Sequence, residues 1–177
     1  INPRGVVPAL VHGGNVIIES TIICEYVDEV FGGPKLLPSN SVQRATIRLW
    51  TKLMDDEIHE AGSVLSFCAM FRDRMLAMDA QDREKRYQNV GNPRRAEMYR
   101  SSVEMGVGSS WAFRAVASYE MMMSDLELCL SHGKQWIAGD VFSLAEIALT
   151  PYFARVEFLG LLTVWSEKRP LVTNWWE

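Results

Sequence analysis

The spacing of apolar residues changes once along this chain. Before residue 35 they fall in short, β-branched blocks, and after residue 41 they recur every three or four positions. Val6-Val7-Pro8-Ala9-Leu10-Val11 and Val16-Ile17-Ile18 are two such blocks. Gly13-Gly14-Asn15 between them supplies a turn, so the pattern predicts a β-hairpin. Pro8 cannot donate to a strand ladder and belongs at a strand start, an edge or a special bend. A helix is expected over 20–31, opened by Ser20. Ile22, Ile23, Tyr26, Val27 and Val30 lie near helical spacing, and Gly32-Gly33-Pro34 stops it. Leu36-Leu37-Pro38-Ser39-Asn40 reads as a linker, which divides the chain into units of 1–35 and 41–177.

From Ser41, Ile47, Trp50, Met54, Ile58, Ala61, Leu65 and Cys68 predict a helix of roughly 30 residues. Asn92-Pro93 is a cap and first-turn pair for a shorter helix, which Gly106, Gly108 and Ser109 break. A long helix follows, with Ala112, Val116, Tyr119, Met123, Leu126 and Leu130 on one stripe, ending at His132-Gly133. Phe142-Ser143-Leu144-Ala145-Glu146-Ile147 is a strong helix start. Ser143 and Glu146 are spaced to cap each other's backbone, and Phe142 and Ile147 to close a hydrophobic staple. Pro151 should bend that helix near Ile147. The expected fold is mostly α, with one hairpin.

Composition narrows the function. Of 177 residues, 48% are hydrophobic and 23% charged, so a packed core rather than a disordered chain is expected. Lys plus Arg is 18 against 22 for Asp plus Glu, a net charge of −4 that speaks against a general nucleic-acid binder. Residues 71–100 carry eight basic and five acidic residues, +3 locally against −7 elsewhere. No apolar run approaches the roughly 18 residues of a membrane span. Cys24, Cys68 and Cys129 have no metal-ligand spacing, fit a reducing compartment, and lie on apolar stripes as structural cysteines. The chain opens with Ile1 and closes in what reads as a fresh helix at Asn174-Trp175-Trp176-Glu177, so a fragment is expected.

Two constellations bear on chemistry. If the Val7–Pro8 bond is cis, the Val7 backbone faces a ligand that pairs as an added strand; otherwise Pro8 merely starts an edge strand. Glu19-Ser20-Thr21 sits between strand and helix. Free helix N–H groups there suit a carboxylate, and Glu19 suits an ammonium; the plain alternative is an N-cap Ser beside an acid. One ligand meeting both constellations is a γ-glutamyl tripeptide. Lesser candidates are His12, His59 and His132, none with an evident partner, and the Met121-Met122-Met123 run with Met105. Core filling is the first reading of those methionines and of Trp111, Trp136 and Trp165. The basic stretch Arg83-Glu84-Lys85-Arg86 with Arg94-Arg95 is read first as a self-compensated face, and otherwise as an attractor for such an anionic tripeptide.

Asn-Pro-Arg-Gly-Val-Val-Pro-Ala-Leu (2–10), Glu-Ser-Thr-Ile-Ile-Cys-Glu-Tyr-Val-Asp-Glu-Val-Phe (19–31) and Lys-Leu-Leu-Pro (35–38) resemble cytosolic glutathione S-transferases, with an omega-like or bacterial β-etherase-like look. Residues 136–149 resemble the capping-box helix of that family's C-terminal domain, with Glu146 where the family usually has Asp. The resemblance implies the second half of a thioredoxin-like domain over 1–35, a linker over 36–40 and an all-helical domain over 41–177. It implies that Val7 pairs with the cysteinyl backbone of glutathione, that Pro8 is cis, and that Glu19 and Ser20 hold the γ-glutamyl end. It places the catalytic Tyr, Ser or Cys upstream of Ile1.

The implied activity is attack of the glutathione thiolate on a hydrophobic electrophile, by conjugation or by ether or disulfide cleavage. The rival is a non-catalytic interaction module of the same fold. A detoxifying, cytoplasmic homodimer is implied, without nucleic acid, membrane or metal. Arg44 and Arg48 are expected to face the partner, and the chain expressed by itself is expected to aggregate or to be loosely folded in residues 1–35.

Overall fold

The computed structural model describes residues 2–3 and 5–177; Ile1, and Arg4 of the opening motif, lie outside them. Strands β1 (Ala9–His12) and β2 (Asn15–Ile18) form an antiparallel ribbon, with Ala9 opposite Ile18 and His12 opposite Asn15. Gly13 and Gly14 turn it with φ of 55° and 80°, the left-handed pair that a two-residue primed turn requires. The first strand is shorter than its apolar block predicts, because Val6, Val7 and Pro8 stand outside the ladder. Helix α1 (Ser20–Val30) follows, and residues 31–40 carry no helix or strand.

A continuous helical rod then runs from residue 41 to 76. It comprises α2 (Ser41–Leu53), a π turn (Met54–Ile58), α3 (His59–Ser66), a second π turn (Phe67–Phe71) and α4 (Arg72–Leu76). Asn40 caps it by accepting from the N–H groups of Val42 and Gln43. The predicted stripe is its buried side: Ile47, Met54, Ile58, Ala61 and Leu65 are inside.

Helix α5 (Ala80–Gln88) was absent from the apolar pattern, since only its Tyr87 is buried; Asp79 caps it. Asn92 caps α6 (Pro93–Met105) as its sequence predicts. Gly106–Gly108 form a 3-10 turn, and Ser109 caps α7 (Ser110–Leu130). Ala115 and Met122 join the predicted α7 stripe, whereas Val116 is exposed. Helices α8 (Leu144–Phe158), α9 (Thr163–Ser166) and α10 (Pro170–Trp176) complete the chain.

The core lies where α7 and α8 pack against α3, around the fully buried Tyr119, Phe153 and Trp165. Gly62 permits this approach. A methyl group in its place would sit 3.1 Å from the Tyr119 hydroxyl and 3.4 Å from the Tyr152 ring. No residue of β1, β2 or α1 is buried to that degree.

The α8 cap forms as predicted and reaches further. Ser143 Oγ accepts from the Ala145 N–H, and Glu146 accepts from the Ser143 N–H at 2.9 Å and its hydroxyl at 2.6 Å. The buried Glu146 also accepts from the Ile137 N–H at 2.7 Å, fixing the loop before the helix. Phe142 packs edge-on against Trp136, and Ile147 faces a cavity with α1. Helix α8 continues through Pro151 to Phe158.

Candidate functional site at the head of α1

Register fixes the site's outline. Because Ala9 opposes Ile18, Pro8 and Glu19 come next at the same end of the ribbon, away from its turn, with Val7 and Ser20 beyond them. The Val7–Pro8 bond is cis, and Val7 is 91% exposed. The four predicted residues therefore share one ribbon end, where β2 feeds α1.

Glu19 is the only non-glycine residue with positive φ among the described residues, at 69°. Such backbone costs about 1–3 kcal/mol and is found where surrounding structure or function imposes it. Glu19 is the cap residue of α1, yet its side chain makes no cap hydrogen bond. The first intrahelical bond runs from the Ile23 N–H to the Glu19 carbonyl. The N–H groups of Ser20, Thr21 and Ile22 precede it and carry the positive end of the helix dipole. By contrast α2, α5, α6, α7 and α8 each have a side-chain cap.

Three ties hold α1 against the helical rod and linker. The Thr21 hydroxyl donates to Asp55 at 2.6 Å. Arg48 donates to both oxygens of Glu25, at 3.0 and 2.7 Å. Asp28 accepts from the N–H groups of Leu36 and Leu37 at 2.6 and 3.3 Å. Arg48, expected to face a partner subunit, thus binds α1 of its own chain, and Arg44 is half-buried. Asp55 lies in the first π turn, which places it beneath Ser20. There a cavity of about 210 Å³ opens between α1, the rod and α8, and Ser20, Thr21, Asp55 and Tyr152 are among its walls. Val7, Pro8 and Glu19 do not line it.

Sequence reasoning missed Asp55 and Tyr152. The available signal was the acidic run Asp55-Asp56-Glu57 in the middle of an apolar helical stripe. Tyr152 Oη lies 3.2 Å from His59 Nδ1, and burial, then the Asp55 charge, raises its pKa.

The remaining candidates find structural partners. Cys24, Cys68 and Cys129 are half-buried free thiols, and burial pushes each pKa up, the wrong direction for a nucleophile. His12 pairs with the Tyr26 hydroxyl and His132 with the Leu128 carbonyl. Met122 and Met123 are core, while Met105 and Met121 are exposed. Trp165 is core; Trp111 and Trp136 are half-buried. Trp111 is flanked by the guanidinium groups of Arg94 and Arg114. The basic stretch is compensated by Lys85–Asp82, Arg94–Glu60 and Arg100–Glu84 pairs. Among the described residues no group of three His, Cys, Asp or Glu could hold a metal ion, and no helix is long and apolar enough to cross a membrane.

Two family models match the chain: the glutathione S-transferase N-terminal domain over residues 1–35 and the glutathione S-transferase C-terminal domain over 109–177. A probable glutathione S-transferase of Nicotiana tabacum is 33% identical over 174 residues, 96% of this chain and 59% of the relative. Protein LigF of Sphingobium sp. is 53% identical over 86 residues, 48% of this chain and 33% of that protein. Among solved structures, the β-etherase LigF from Sphingobium sp. strain SYK-6 superposes with a TM-score of 0.84 at 28% identity, covering 99% of this chain and 74% of that one. Glutathione transferase F7 from Populus trichocarpa, at 22% identity and a TM-score of 0.68, shows the same fold over 99% of this chain and 70% of its own. The chain thus spans 59% of the length of the tobacco relative. The ribbon and α1 are the thioredoxin-like part of this fold and the later helices its all-α part, and the chain belongs to the glutathione S-transferase family.

Proposed function

We propose that the chain carries the peptide-binding face of a glutathione-dependent transferase. The observation that supports this most directly is Glu19, held at φ 69° at the head of a helix its side chain does not cap. The N–H groups of Ser20, Thr21 and Ile22 suit the α-carboxylate of a γ-glutamyl group. The Glu19 carboxylate suits its ammonium. Val7, exposed at the same ribbon end, offers backbone groups to the cysteinyl main chain in the manner of an added strand.

Held this way, the tripeptide presents its thiolate to a hydrophobic electrophile, and the thiolate is the reacting form. The similarity to a β-etherase favours ether cleavage within this class. The sulfur would form a bond to an ether carbon while the carbon–oxygen bond breaks, and an aryloxide would leave with the electron pair. Cys24, Cys68 and Cys129 take no part in this reading.

Capture of the intact protein on immobilised glutathione tests the binding step. Glu19→Ala and Ser20→Ala should each weaken capture about tenfold, the worth of one charge-assisted hydrogen bond. Capture indifferent to both changes would favour the non-catalytic interaction module. Glutathione-dependent aryloxide release from a β-aryl ether tests the reaction.

A further inference from the structure

Helix α7 carries a second stripe, on the side away from the core. Phe113, Ala117, Met121, Ser124 and Leu128 recur every three or four residues, opposite the buried Ala115, Tyr119, Met122 and Leu126. Phe113, Met121 and Leu128 are 68%, 62% and 62% exposed. The order along the stripe is large, small, large, small, large. One flank bears two charges. Arg114 lies over the Trp111 ring at 4.0 Å, and neither Arg114 nor Asp125 has an ion pair among the described residues.

A groove borders the other flank. Ser124, Glu127, Leu128 and Ser131 stand at i, i+3, i+4 and i+7 and line a hollow of about 520 Å³, with Val164 of α9 also in its wall. Four helix positions so spaced form the hole that receives one side chain from a facing helix.

The surface that fits this face is the face itself. Turned antiparallel about a two-fold between Glu120 and Met121, α7 is its own complement. Phe113 falls opposite Leu128 of the second copy, over the hole. Ala117 falls opposite Ser124, small against small, so the helices can approach closely. Met121 meets its own mate beside the axis. Arg114 comes within reach of Asp125 of the second copy, and symmetry repeats the pair. Glu120 also approaches its mate, but Arg169 of its own chain already neutralises it. A lipid surface would cover the apolar residues and leave Arg114 and Asp125 unpaired.

We propose that α7 pairs antiparallel with α7 of a second copy of this chain, each Phe113 seated in the groove between α7 and α9 of the other. The contact uses no residue of the ribbon end or of α1, so it stands or falls independently of the glutathione reading. It is also separate from α2, where Arg44 and Arg48 were expected to meet a partner. One helix face buries less than the roughly 800 Å² a side of a standard interface, so pairing is expected at micromolar concentration.

Disulfide trapping and sedimentation of the intact protein test it. Met121→Cys, beside the axis, should cross-link two copies under mild oxidation. Asp125→Cys, about 13 Å from its mate along the pair, should not. Phe113→Glu, an exposed change, should weaken association at least tenfold and abolish the Met121→Cys cross-link. Arg114→Glu should weaken association about tenfold, since each of two pairs becomes a repulsion, and adding Asp125→Arg should restore it. The restored double variant fixes the antiparallel register, which a general loss of folding would not mimic. A protein monomeric at every concentration, association indifferent to Phe113→Glu, or cross-linking equal at positions 121 and 125 overturns the proposal.

Discussion

Replacing Glu146 by Ala tests how the α8 start is held. Its carboxylate is buried and takes three hydrogen bonds, from the Ile137 N–H, the Ser143 N–H and the Ser143 hydroxyl. The alanine leaves two buried backbone N–H groups without an acceptor, at about 1–3 kcal/mol each, and removes a capping contribution of about 1 kcal/mol. Relief from burying a carboxylate offsets part of this. The net loss should be about 3 kcal/mol. With a urea slope of about 2–3 kcal/mol per molar, the unfolding midpoint followed by far-UV circular dichroism should fall by about 1 M. Two companions divide the effect. Glu146→Asp should keep the Ser143 contacts but fall short of Ile137, and Glu146→Gln should serve Ile137 while setting an amide N–H against the Ser143 N–H. Each should lose about half as much. A Glu146→Ala midpoint within about 0.3 M of the parent would refute this account, since that slope makes 0.3 M less than 1 kcal/mol.

Four other outcomes are expected. Gly62→Ala should destabilise by about 1 kcal/mol, because crowding of the buried Tyr119 hydroxyl outweighs the gain in helix propensity; a stabilised variant in urea denaturation refutes it. Above about pH 8.5 the native state holds protons on Cys24, Cys68 and Cys129 more tightly than the unfolded chain, and at higher pH the same is true of Tyr119 and Tyr152. Stability should therefore be full below that pH and fall as pH rises through the native values; a urea midpoint flat from pH 8 to 11 contradicts this. Arg48→Ala should cost no more than about 1 kcal/mol globally, since the pair is partly exposed, yet speed amide exchange in α1 selectively. In the unaltered protein, β1, β2 and α1 should exchange their amides faster than α3, α7 and α8, having no fully buried residue; equal protection would contradict the burial argument.

Local chemistry was legible in the sequence where a few neighbouring residues decide the outcome. Asn92-Pro93 and the Ser143/Glu146 pair each announced a helix start that forms, whereas Ser109, read only as a break, caps α7. The glycine pair announced its turn. Helix α5 was not legible, because only Tyr87 of its nine residues is buried and no apolar period results, although Asp79 before it was a usable cap signal. The two π turns were invisible, since an added residue in a turn leaves the three-and-four spacing of the stripe intact. At the site, the ribbon-end residues were legible as a motif. Asp55, Tyr152 and the role of Arg48 were not, because each depends on contacts between segments far apart in sequence. Val6 and Val7 were read as strand from β-branched content alone, but they stand exposed outside the ladder.

The π turns give this rod an unusual tolerance. A turn closed from residue i to i+5 houses one residue more than an α turn does. Elsewhere in a helix, deleting a residue swings everything beyond it by about 100° and pulls the buried stripe out of phase. Removing Glu57 from the turn at Met54–Ile58 would instead let that turn relax to ordinary α-helix, with Ile47 and Trp50 on one side and Ala61 and Leu65 on the other still facing inward. The middle of its longest helix is thus where this protein can change length by one without rotating its core.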